Sequence, residues 1–99
     1  MSEPHGGDEP EGWPCEVSDE VNDLLQDLSL PGEVFGAIVA ATVQINQTKG
    51  MVPGSTASTR WLQRRRLPLG RDGSLGVAEY VVVADADPPH CVLTRIQLY

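Results

Sequence analysis

Apolar positions along this chain recur with two different periods, and each period marks a kind of element. Val21, Leu24, Leu25 and Leu28 stand at i, i+3, i+4 and i+7, one face of a helix. Ser18 precedes them as an N-cap, and Asp19 and Glu20 fill the first turn, where the helix dipole favours carboxylates. Leu30-Pro31-Gly32 ends that helix, and Pro31 also suits the first turn of a following one. Over residues 33–48, Phe35, Ile38, Val39, Thr42 and Ile45 form a second helical stripe, which Val34, Ala41 and Val43 widen. The many β-branched residues there permit strand, but a run of this length without a turn signal reads as helix, with Gly50 as its stop.

Beyond a Gly/Pro/Ser/Thr-rich loop, Gly50 to Thr59, the period drops to two. Arg60 to Leu69 reads as a strand, Gly70-Arg71-Asp72-Gly73 as a hairpin turn, and Ser74 to Ala84 as the next strand. The Tyr80-Val81-Val82-Val83 run suits a central strand buried on both faces. Asp85 to Pro89 is a second turn. In the final strand, His90 to Tyr99, strict alternation sends Val92, Thr94, Ile96 and Leu98 one way and Cys91, Leu93, Arg95, Gln97 and Tyr99 the other. Trp13 to Val17 reads as a short first strand, confined to an edge or a strand start by Pro14. The expected order is therefore β-α-α-β-β-β. This is an α+β fold, a helical hairpin against an antiparallel meander of about four strands. Residues 1–12 carry Gly, Pro and four acids with no apolar residue after Met1, the composition of a disordered acidic tail. Residues 13–99 form a single domain.

Charge sharpens this picture. The chain has 99 residues and a formal net charge of −7, which argues against a generic nucleic-acid binder. The total conceals an asymmetry: residues 1–33 hold ten acids and no Lys or Arg, whereas residues 34–99 hold seven bases and four acids. The longest uncharged apolar stretch, Val34 to Val43, is half the length needed to span a bilayer, and the acidic start is unlike a signal peptide. A cytoplasmic protein with no membrane partner is expected, its two cysteines reduced. Whether Cys15 and Cys91 meet on neighbouring strands is left open. His5, His90 and the cysteines have no metal-ligand spacing, so no metal or cofactor is expected; Cys91 reads as a packing residue.

The candidate chemistry is basic. On a strand, Arg60, Arg64 and Arg66 share one face, with Trp61, Arg65, Leu67 and Leu69 on the other. A guanidinium row suits phosphate because its planar fork binds oxygens in pairs. The same row also reads as a solvated strand face that offsets the chain's own acids. Arg95 and Tyr99 fall on one strand face about 13 Å apart, and Glu79 is the acid available on the neighbouring strand. Phosphodiester cleavage can use Glu79 as base, with arginines such as Arg64 and Arg66 stabilising charge. Equally, Glu79 can be a cross-strand partner of an arginine.

The short strand running into a capped acidic helix (Cys15-Glu16-Val17-Ser18-Asp19-Glu20-Val21), the second helix, the basic strand, and the hairpin from Gly76-Val77-Ala78-Glu79-Tyr80-Val81 through Cys91-Val92-Leu93-Thr94-Arg95 resemble small bacterial toxins of the RelE/ParE superfamily. The resemblance spans residues 13–99 and implies that Arg95 and Tyr99 stabilise charge and stack a base, joining Arg64, Arg66 and Glu79 as candidate site residues. It implies a toxin paired with an antitoxin, or with another protein partner, and RNA or the ribosome as the target of a ribosome-dependent mRNA endonuclease. It equally implies a non-enzymatic, ParE-like toxin that binds a protein such as gyrase, or a regulatory module that has lost catalytic residues. RelE-like nucleases usually carry an Arg directly after the penultimate-strand aromatic; here Val81 follows Tyr80.

Overall fold

The computed structural model describes residues 12–99. Its elements run β1 (Cys15–Val17), α1 (Asp19–Leu25), α2 (Gly32–Thr48), β2 (Thr56–Ala57), β3 (Arg64–Leu69), β4 (Gly76–Val83) and β5 (His90–Leu98). The five strands form one sheet in the order β1-β5-β4-β3-β2. The α+β order is as the sequence implies, with two additions. A two-residue strand, β2, forms within the expected loop, and β1 joins β5 in parallel, so the sheet is mixed. The tail expected over 1–12 lies outside the described residues except for Gly12. No described helix is long and apolar enough to cross a membrane.

Ser18 caps α1 through its Oγ, which accepts from the Val21 N–H at 3.3 Å and donates to the Thr94 carbonyl at 3.0 Å. One side chain thus starts the helix and ties it to β5. The helix is shorter than its apolar spacing suggests. Asp27 Oδ1 accepts from both the backbone N–H and the hydroxyl of Ser29, an Asx turn that competes with further helix. Leu28 therefore leaves the expected stripe and is fully exposed.

Along α2 the buried line is Val34, Ile38, Ala41 and Ile45. The stripe is therefore rotated from the one expected: Phe35, Val39 and Val43 are exposed by 43%, 42% and 48%. The helix closes with Lys49 at φ 55° and Gly50 at φ 87°. Gly50 is required twice, for its left-handed backbone and because a Cβ would strike the Val82 side chain. Its carbonyl accepts the hydroxyl of Tyr80, which is wholly buried.

Val21, the α2 line and Val52 pack on Leu67, Leu69, Ala78, Tyr80, Cys91 and Leu93, the helix-facing side of the sheet. β4 is central, as its valine run implies, yet Val81 and Val83 are only half-buried, because the core lies on the opposite face. Strict alternation fails in β5. Tyr80 pairs with Leu93 and Glu79 with Arg95, so Thr94 is an extra residue in a bulge. Its hydroxyl donates to the Glu79 carbonyl at 3.1 Å. Past the bulge the faces are exchanged, and Ile96 turns inward against the core while Arg95 and Gln97 turn outward.

Candidate functional site

β3 begins at Arg64, later than expected, because Arg60 to Gln63 continue the turn that starts at Ser58 instead of forming strand. The Ser58 N–H donates to the Arg64 carbonyl, and the Arg64 N–H to the Trp61 carbonyl. Arg60 therefore does not share a strand face with Arg64 and Arg66, and Trp61 is not opposite them. Within β3 the expected alternation holds. Arg65 points to the helix side, where its Nε and Nη2 donate to Ser55 Oγ at 3.1 and 2.8 Å. It fastens the loop before β2 from the side of the sheet opposite Arg64 and Arg66.

Arg64 and Arg66 lie on the other face, over which no part of the core packs. Arg66 is opposite Glu79 on β4, and Glu79 is opposite Arg95 on β5, so the three side chains form one row across three strands. Arg66 Nε lies 3.6 Å from Glu79 Oε2; the arginine side chain is 69% exposed and the glutamate side chain 15%. Glu79 is thus a shielded carboxylate flanked by two guanidinium-bearing positions. The next row places Arg64 opposite Val81, which pairs with Val92, itself beside Glu16 of β1.

A cleft of about 340 Å³ opens beside this row, lined by Thr56, Ala57, Ser58, Thr59, Arg64, Arg66 and Glu79. The hydroxyl wall was not singled out from sequence. Its only signal was a Ser/Thr run in a loop, which ordinarily marks no more than loop. Arginine forks beside hydroxyl donors and a carboxylate can bind a phosphate and accept a proton from a neighbouring hydroxyl.

Tyr99 is apart from this group. It follows the last paired position of β5, its N–H donates to the Leu75 carbonyl, and the residue is 79% exposed. Of the five candidate residues the sheet gathers Arg64, Arg66, Glu79 and Arg95, leaving Tyr99 at the far end of the strand.

Cys15 and Cys91 do face each other across β1 and β5 as free thiols. Burial, and next the neighbouring Cys91, push the Cys15 thiol up to about 11, and burial raises Cys91 as well. Thiols held protonated are poor nucleophiles. Among the described residues no three His, Cys, Asp or Glu side chains gather as metal ligands. Comparison with protein-family models, with curated proteins and with solved structures gives no match.

Proposed function

We propose that the open sheet face binds the backbone of RNA and that the chain is a toxin-like endoribonuclease. The observation that carries this reading is the Arg66–Glu79–Arg95 row. Glu79 takes the proton of a ribose 2′-hydroxyl, whose oxygen attacks the adjacent phosphorus. The 5′-oxygen of the next nucleotide leaves and is protonated by water, giving a 2′,3′-cyclic phosphate and a free 5′-hydroxyl. Arg66 and Arg95 flank the carboxylate, where they stabilise the negative charge that develops on the phosphoryl oxygens. Arg64 and the Thr56–Thr59 wall hold the neighbouring backbone. An acidic protein can do this because its negative charge is concentrated before Val34, away from the arginines in sequence.

The test is purified protein with mRNA, with and without ribosomes, and end-group analysis of the products. Cleavage to cyclic phosphate that is lost in Glu79→Gln and in Arg66→Ala supports the reading. Intact RNA under both conditions, with growth arrest on induced expression, would replace it with the second reading, a chain that acts by binding a protein. That reading draws on the exposed Phe35, Val39 and Val43 of α2.

A further inference from the structure

We infer that Trp61 is a stacking platform for an unpaired nucleobase, so that the RNA taken by the open face is single-stranded; this rests on the RNA reading above. The turn that carries Trp61 is closed by four hydrogen bonds. Ser58 Oγ accepts from the N–H groups of Arg60 and Trp61, each at 3.2 Å. The Ser58 N–H meets the Arg64 carbonyl at 2.8 Å, and the Arg64 N–H meets the Trp61 carbonyl at 2.9 Å. A turn fixed in this way still leaves Trp61 51% exposed and the adjoining Leu62 74% exposed. An indole is among the most favourable side chains to bury, and this one is not spent on the core. Trp13, by contrast, packs against it.

Two further features give the exposed ring a ligand class. The Arg60 guanidinium stands over the ring, 5.9 Å from its centroid, a cation–π arrangement that sets a positive charge beside the ring for the phosphate that accompanies a base. The same turn supplies Ser58 and Thr59 to the arginine cleft. One hydrogen-bonded turn therefore offers a flat apolar surface and, within the same few residues, phosphate donors. These are the two halves of a nucleotide. A base within a duplex is already stacked and paired, so only an unpaired base can use the ring. Because every base has such a face, Trp61 confers strand state and not sequence preference.

The experiment measures binding of three probes to the full chain: a 2′-O-methyl oligonucleotide of roughly ten nucleotides, which cannot be cut, the same strand annealed to its complement, and inorganic polyphosphate. The single strand should bind best. Trp61→Ala should weaken it about 5- to 150-fold and leave polyphosphate binding unchanged, while Trp61→Phe should retain most of the affinity. In a Trp13→Phe background, the single strand should quench Trp61 fluorescence and polyphosphate should not. Tight single-strand binding that Trp61→Ala does not weaken, or an equal loss on polyphosphate, overturns the platform alone. No binding of any probe by the unmodified chain overturns the RNA reading, and the platform falls with it.

Discussion

The Thr94 hydroxyl donates to the Glu79 carbonyl oxygen at the bulge of β5, and beyond that point Arg95 faces outward beside Glu79 while Ile96 faces the core. Two opposite assignments of the strand's last third can be told apart by substitution. Ile96→Asp should cost about 2 kcal/mol or more, as a charge placed against apolar packing. Gln97→Asp should stay within about 0.5 kcal/mol, as an exposed change. Urea titration followed by circular dichroism reads both; the reverse order would restore strict alternation.

Neighbouring arginines of β3 should separate into two roles. Arg65→Ala removes the hydrogen bonds to Ser55 and should lower stability by about 1–2 kcal/mol with little effect on phosphate binding. Arg64→Ala with Arg66→Ala should do the opposite, weakening polyphosphate and lowering the dependence of log K on log salt by roughly 2. Thermal melts and a salt series distinguish these outcomes.

Tyr80 and Gly50 form a buried hydroxyl–carbonyl pair that joins β4 to the end of α2. Tyr80→Phe strands the carbonyl without its donor and should cost about 1–3 kcal/mol, or about 4–8 °C of Tm for each kcal/mol in a domain of this size. Gly50→Ala adds both an unfavourable positive φ and a clash with Val82, so its loss should be at least as large. A neutral Tyr80→Phe would show that water serves the carbonyl equally well.

The Cys15 thiol should make the fold alkali-sensitive. Its ordinary value is 9.0, and burial followed by the Cys91 neighbour raises it to about 11 in the native state. Between those values the unfolded chain has lost the proton and the native chain keeps it, so stability falls as pH rises. The contribution is complete below pH 9 and gone by about 11. Denaturation midpoints across this window should decline more steeply for the unmodified chain than for Cys15→Ala with Cys91→Ala.

Much of the architecture is legible in local chemistry. Ser18 followed by Asp19 and Glu20 specifies a helix start by itself, because the cap and the dipole act within one turn. Pro31 and Gly50 bound α2 through backbone conformations that need no distant partner. The β3–β4 and β4–β5 pairings follow from short turns between alternating runs. Arg64 and Arg66 can be placed on one face by parity alone, since alternate residues of an unbulged strand share a face; that Glu79 joins them follows from the cross-strand register.

The remainder depends on contacts between distant segments. A period of 3.6 gives α2 an apolar sector wider than the sheet can cover, and only docking on β1, β3 and β5 selects the Val34–Ile38–Ala41–Ile45 line over Phe35, Val39 and Val43. Leu28 fits a helix that Asp27 and Ser29 stop one turn too early. The parallel placement of β1 beside β5, and with it the Cys15–Cys91 pairing, joins residues from the two ends of the chain. The bulge at Thr94 exists because its carbonyl and hydroxyl find Ser18 and Glu79, partners that no local period encodes. That single extra residue turns Arg95 toward Glu79, completing the row that sequence alternation alone would have divided between two faces.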